Sequence, residues 1–324
     1  MRRSIVAVLA VLCGSVAAAA QATAQEPWPT APVRIVVPFG AGSTPDAVAR
    51  LIADYLHDKT QMPFVVENKP GASGNTGTDV VAKAAPDGAT IGISIGGPLA
   101  INTLLFSNLP YDPKKDLTLI TMLVTQPSAL AVNTSLGVTT TAQLLELIKA
   151  NPGKYAYGSI GTGSLSQLAM EAIALKTGTQ LVHVPYSSSP QAMTALIRND
   201  VQMVCLPAIS VTPQLSSGKI KILAVSTAER SALLPDIPTL KEAGIDVEAD
   251  AWNGLIAPAG IPAAMVERIR TLVTAAIESR PIREKLTAQL MEPIPDTPAQ
   301  FRARIDADIA RWTPVIQAAK IKIQ

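Results

Sequence analysis

The stretch RIVVPFGAGSTPDAVAR, residues 34–50, carries an apolar strand into a glycine-containing turn and straight on into a helix. Residues 33–39 are a continuous apolar run, which predicts a strand buried on both faces. Residues 45–57 carry Val48, Leu51, Ile52, Tyr55 and Leu56 at helical spacing. Between the two, Thr44 can cap the first free amides, Pro45 suits the first helical position, and Asp46 complements the positive helix end. Gly40 and Gly42 let the main chain bend and strip side-chain cover from its N–H groups. A helix N-terminus with uncovered amides accommodates a small anion, and a carboxylate accepts those hydrogen bonds well. Asp46 brings its own charge to the same place. It either satisfies the turn amides itself or meets a polar group on a ligand.

A second stretch repeats the plan. KYAYGSIGTGSLSQLAMEAIAL, residues 154–175, gives a strand over 155–159, a Gly161-x-Gly163 turn and a helix over 165–176. Ser164 and Gln167 are spaced as a capping box. Each helix is followed by another strand pattern, at 64–67 and 181–185. Either turn alone is ordinary connection chemistry. Two matching turns this far apart argue for a lobe on each side of a cleft, each offering one turn to a shared guest.

The rest of the chain alternates in the same way. Strand patterns at 90–95, 128–132, 201–206, 220–226 and 252–257 interleave with helical ones at 79–85, 141–149, 190–198, 263–278, 282–290 and 298–319. A glycine-rich loop fills 71–77. The alternation argues for parallel α/β sheets, with the chain crossing between lobes near 121–131 and returning near 250–262. Arg2 and Arg3, the apolar residues 5–11 and the small-residue tail 18–24 read as a secretory signal peptide, cleaved near Gln25. The apolar part is too short for a membrane span, and Cys13 goes with it. Cys205 alone then remains, so no internal disulfide is expected. The formal charge of +2 comes from 27 basic and 25 acidic residues; without Arg2 and Arg3 the count is 25 against 25. A neutral surface argues against nucleic acid or an anionic membrane as partner.

Catalytic and metal chemistry find little support. The histidines are His57 and His183 alone, the first read as solvated and the second as a satisfied core residue. No Gly-x-Ser-x-Gly elbow surrounds any serine. No metal-ligand cluster, dinucleotide turn or Walker lysine is present. Cys205 sits in an apolar run and reads as a buried inert thiol. No catalytic residue, metal or cofactor is therefore assigned. A periplasmic α/β enzyme, a hydrolase or isomerase using a carboxylate such as Asp46 on a small carboxylated substrate, stays open as the alternative.

Six segments in order carry a specific resemblance: WPTAPVRIVVPFGAGSTPDAVARLIA (28–53), VVENKPGASGNTGTDVVAKAAPDGATIG (65–92), YGSIGTGSLSQLAMEAIALKTG (157–178), LVHVPYSSSPQAMTALI (181–197), LAVSTAERSALLPDIPTLKEAG (223–244) and WNGLIAPAGIP (252–262). Together they resemble the Bordetella uptake gene (Bug) family, the periplasmic solute receptors of tripartite tricarboxylate transporters. The resemblance implies an α/β, two-lobed type II periplasmic binding protein, a Venus flytrap with crossing hinge strands. Residues 25–125 and 252–324 would form one lobe and 126–251 the other, after a signal peptide at 1–24. It implies a small carboxylate ligand and a membrane permease as partner; a sensor protein in the permease's place stays open as a further reading, and a monomer is the default.

The ligand-binding positions it implies are Phe39, Gly40, Ala41, Gly42, Ser43, Thr44 and Asp46 in the first turn. Gly161, Thr162, Gly163, Ser164 and Ser166 stand in the second. Pro185 and Tyr186 would line the second lobe. Relatives commonly carry glycine at position 43 and histidine at 167, where this chain has Ser43 and Gln167. Leu206 stands where many carry aspartate, which would disfavour amino acids and favour a dicarboxylate or an aromatic acid.

Overall fold

The structure is a computed structural model and describes residues 28–322. The expected signal peptide and Cys13 lie outside the described residues. Eleven strands and ten α-helices follow in chain order: β1 Val33–Val37, α1 Thr44–Thr60, β2 Phe64–Asn68, α2 Asn75–Ala82, β3 Thr90–Ile95, α3 Asn102–Leu105, β4 Leu117–Gln126, β5 Ser128–Asn133, α4 Thr141–Ala150, β6 Ala156–Ser159, α5 Leu165–Thr177, β7 Val182–Pro185, α6 Ser189–Arg198, β8 Met203–Pro207, α7 Ala208–Val211, β9 Ile220–Val225, β10 Ala251–Pro258, α8 Ala263–Glu278, α9 Arg280–Thr287, β11 Glu292–Pro293 and α10 Pro298–Ala318.

The strands form two sheets. One runs β11-β4-β10-β3-β1-β2, the other β7-β6-β8-β5-β9. Period-two alternation covers both faces of each. In β1, Val33, Ile35 and Val37 pack with Val48, Ile52 and Leu56 of α1 and Ile269 and Val273 of α8. Val36 points the other way, into a core with Val81, Trp252, Phe301 and Ile305. In β8, Met203 and Cys205 join the core beneath α5, while Val204 and Leu206 join that beneath α6. Burial of the Cys205 thiol pushes its pKa up to about 12, which keeps it protonated and inert.

The sheets are mixed, where strand–helix alternation alone argued for parallel ones. β1 pairs parallel with β2 and β3, but β10 runs antiparallel to both β3 and β4. β5 likewise runs antiparallel to β8 and β9. The physical reason is the crossing. β4 leaves the first sheet at Gln126, and after Pro127 the same extended chain becomes β5 of the second. The return enters β10, where Ala251 pairs with Gln126.

Helix α10 belongs to both halves. Phe301 and Ile305 pack under the first sheet, while Trp312, Val315 and Ile316 join the core of the second with Leu168, Ile173 and Val247. The sequence division placed all of 252–324 with the first lobe. The last turns of α10 also reach the core of the second sheet, because their apolar face finds its cover on α5.

Candidate functional site

Each turn is built from its own strand end and helix start, and the two are near copies. Ser43 is the N-cap of α1, with φ −71° and ψ 160°; Ser164 is the N-cap of α5, with φ −69° and ψ 155°. The glycine before each takes a left-handed conformation, Gly42 at φ 80° and Gly163 at φ 78°. The Ser43 amide donates to the Gly40 carbonyl at 3.2 Å and the Ser164 amide to the Gly161 carbonyl at 3.2 Å. A side chain four residues beyond each glycine then clamps the glycine amide. Gly42 N–H donates to Asp46 Oδ2 at 2.8 Å, and Gly163 N–H to Gln167 Oε1 at 2.7 Å.

The copies differ in how the helix start is treated. The Ser164 hydroxyl accepts from the Gln167 amide at 3.4 Å and donates to the Gly161 carbonyl at 2.6 Å. Gln167 sends its side chain to Gly163, so only half of the expected capping box forms. In the first turn the N-cap is Ser43 and not Thr44, which becomes the first helical residue. Ser43 Oγ is shut off from solvent and has no hydrogen-bond partner among the described residues. Pro45, the second helical residue, offers it no amide.

Asp46 is spent within the protein. Besides the Gly42 amide it accepts from Arg50 Nε at 3.0 Å, Arg50 Nη2 at 2.9 Å and Asn68 Nδ2 at 2.9 Å. Burial opposes its ionisation, but Arg50, the Gly42 amide and Asn68 outweigh burial and hold the carboxyl below the usual range. It is 2% exposed. Of the two roles open to Asp46 in sequence, the turn-clamping one is what these bonds describe; all of its acceptor positions face protein donors.

The topology fixes where the turns point. β4 lies parallel to β1 through the antiparallel β10 and β3, so Gln126 ends at the same sheet edge from which residues 38–44 depart. In the second sheet, Ser128 pairs with Pro207 at the end of β8, and β8 is parallel to β6. The crossing therefore enters at the edge where β6 gives way to the second turn. Both helix starts lie at the sheet edges that Pro127 joins. Thr44 Oγ1 touches Gln126 Oε1 at 3.5 Å, a weak bond that sets the first turn directly against the crossing.

The remaining sequence-derived positions fall into three groups. Gly40, Ala41 and Gly42 are exposed, and Ser43, Thr44, Gly161, Gly163 and Ser164 are half-buried, with Thr162 exposed between them. Among the described residues no acceptor is found for the amides of Thr44 and Asp46, nor for those of Thr162, Leu165 and Ser166. Ser166 is buried, and its hydroxyl accepts the Ile160 amide at 3.0 Å. The Phe39 ring lies against Gly74 and Phe39's carbonyl accepts from Asn68. Tyr186 is brought to the second turn, its amide donating to the Ser159 carbonyl at 2.9 Å, while Pro185 is exposed beside it.

Leu206 is not brought there. It is completely buried in the core with Ala129, Leu196 and Val211, because its neighbour Cys205 takes the opposite face of β8. Asn68, Gln126 and Ser159 were not singled out from sequence. Only Asn68 left a trace, in the VVENKPG segment that carries part of the resemblance. Among the described residues no group of His, Cys, Asp and Glu could hold a metal ion.

Two mixed α/β sheets joined by crossing strands, with paired helix starts facing the junction, define a two-lobed solute-binding receptor. The model of the tripartite tricarboxylate transporter family receptor matches residues 48–321, and the chain belongs to that family. It is similar to BugT of Bordetella pertussis, 31% identical over 99% of this chain and 98% of that protein. Among solved structures it is similar to an R. palustris protein with adipate, at 35% identity and TM-score 0.80 over 91% of this chain and 99% of the other. It is likewise similar to MatC from Rhodopseudomonas palustris with bound malate, at 29% identity and TM-score 0.74 over 89% and 100%. These relatives are solute-binding receptors, not enzymes. Among the described residues no helix is long and apolar enough to cross a membrane.

Proposed function

We propose that this chain is a periplasmic receptor that captures a small dicarboxylate or aromatic acid between its lobes and delivers it to the membrane permease of a tripartite tricarboxylate transporter. The observation that carries the reading is the duplication of one turn geometry at the two sheet edges that meet at the crossing. Amides of Thr44, Asp46, Thr162, Leu165 and Ser166, with the hydroxyls of Ser43, Thr44 and Ser164, would hold carboxylate oxygens. Phe39 and Tyr186 would supply apolar walls, with Gly40, Ala41, Gly161 and Pro185 shaping the rim. The lobes would be 25–125 with 252–324, and 126–251, in a monomer exported by a signal peptide at 1–24.

The ligand favours the closed form because only there do both turns hold it at once. Micromolar affinity needs about 8 kcal/mol. Several charge-assisted hydrogen bonds at about 1.5–3 kcal/mol each reach that without an arginine. The preference for acids over amino acids cannot rest on Leu206, which is core. It rests on Asp46, the one acidic residue of either turn, whose carboxylate is already committed to Arg50, Asn68 and Gly42. No free carboxylate is left there for an ammonium group.

The test is a thermal-shift panel of adipate, malate, benzoate and glutamate, followed by calorimetric titration of whatever stabilises. Native-state binding raises the melting temperature. Adipate, malate or benzoate should raise it and glutamate should not, with the ligand recovered unchanged. A panel in which no acid raises the melting temperature sinks this reading.

A further inference from the structure

Ser159 closes β6 and is completely buried. Its hydroxyl accepts the Gly161 amide at 3.1 Å, donates to the Gly161 carbonyl at 3.2 Å and meets His183 Nε2 at 2.7 Å. A hydroxyl has one hydrogen to give. Either the Gly161 carbonyl or a bare Nε2 can take it, so the Ser159–His183 bond runs in the direction that the imidazole tautomer sets. Nδ1 has no partner among the described residues, so a charged ring keeps an N–H at both nitrogens, with Nε2 donating to Ser159. The half-buried imidazole stacks on Tyr157, with ring centroids 5.0 Å apart at 22°, and the Tyr157 hydroxyl donates to Glu171 at 2.5 Å.

We propose that His183, acting through Ser159, is a positioning residue of the second turn and the group through which pH sets how firmly an anion is held there. The proposal rests on the reading of that turn as an anion site. The charged imidazole places a positive charge two hydrogen bonds from Gly161 and donates from Nε2 to Ser159, whose own hydrogen then goes to the Gly161 carbonyl. Affinity for an anion therefore rises as the imidazole charges, and by reciprocity a bound anion raises the imidazole pKa.

The charged groups on elements packed against β6 are Glu171 and Lys176 on α5 and Arg198 on α6, with Lys154 and Asp200 in the flanking loops. Glu171 reaches the imidazole only through Tyr157. Burial alone displaces His183, lowering its pKa from the ordinary 6.5. The ring is thus neutral at pH 7 and charges on acidification.

His57 and His183 are the only histidines, so imidazole NMR of the wild type beside His57→Gln assigns His183 directly. In ligand-free protein Ser159→Ala should change both the tautomer balance and the titration. With saturating adipate as the probe, the His183 pKa should rise by about half a pH unit, the size expected for opposite charges roughly 8–10 Å apart in a largely aqueous setting. The same coupling is up to about threefold in affinity.

His183→Gln keeps an N–H donor toward Ser159 and removes the titration. The ratio of adipate affinity at pH 5.5 to that at pH 7.5 should fall in this variant and stay as in wild type in His57→Gln. Comparing ratios cancels the protonation of adipate itself. Equal ratios in wild type and His183→Gln, or a His183 titration unmoved by bound adipate, overturn the proposal. Failure of adipate to bind wild type at either pH removes the anion-site reading instead. The ligand-free spectra then decide for Ser159 and His183: identical imidazole behaviour in wild type and Ser159→Ala overturns the link.

Discussion

Arg304 holds Asp250 at 2.6 Å, and so fastens α10 to the residue that leads into the return crossing. The same guanidinium meets Glu248 at 3.2 Å and Asp308 at 3.4 Å, while Arg311 meets Glu248 and Asp308, each at 3.0 Å. Thr125 of β4 donates to Asp250, and Trp252 of β10 donates to Asp308 at 2.8 Å. Both crossing strands and α10 thus share one ionic cluster. Burial pushes the Asp308 carboxyl up despite its two arginines. Removing one partner of such a cluster leaves buried charge uncompensated, which costs about 3–5 kcal/mol. Arg304→Met is expected to lower stability by that amount in urea denaturation. A loss below 1 kcal/mol would show that the cluster contributes little.

Ser43 and Ser164 occupy equivalent caps with unequal bonding, which separates binding from stability. Ser164→Ala removes a side-chain cap and should cost about 1 kcal/mol of stability together with affinity. Ser43→Ala removes a hydroxyl that has no partner among the described residues, so stability should hold or rise slightly. If that hydroxyl serves the ligand, the affinity for adipate should still fall about tenfold, equivalent to one hydrogen bond. Melting curves beside calorimetric titrations would check both. Unchanged affinity in both variants would remove the turns from the binding site.

Asp46 predicts an acid-sensitive first turn. Its carboxyl is held below the ordinary range, so its contribution is fully present above the unfolded pKa of about 3.9. The contribution is lost as pH falls through the folded value. Asp46→Asn should therefore melt a few degrees below wild type at pH 7, with the gap closing below about pH 4. Arg50 is half in water, so the effect is modest. A gap that stays constant down to pH 3 would contradict the assigned role of the charge.

Gly254 lies beneath the Phe301 ring, where a methyl group would stand 2.1 Å from the ring carbon Cζ. Gly254→Ala should cost about 1–3 kcal/mol by overpacking. Phe301→Leu in the same chain should restore part of the loss. Full stability of the single variant would mean that α10 does not press on the crossing sheet.

What could be read from sequence was local. The strand–turn–helix units, the left-handed glycines and the matched plan of the two turns depend on residues a few positions apart. β3 and α8 were bounded correctly for that reason. The fate of Asp46 was not legible, because Asn68, which completes its shell, arrives from β2 at a separation of 22 residues. Ser43 and Thr44 are both good caps, and local chemistry could not choose between them. The antiparallel course of β5 and β10 depends on chain direction after the crossing, to which side-chain period is blind. Leu206 was misplaced because alignment gives a position in a strand but not its face.

The second core includes Ile101 and Leu105 from before the crossing and Trp312, Val315, Ile316 and Ile321 from the final helix and the residues after it. During synthesis that half of the molecule cannot finish packing until residues 312–321 have left the ribosome. The second half therefore completes its core only with a segment that follows the last strand of the first half in the chain.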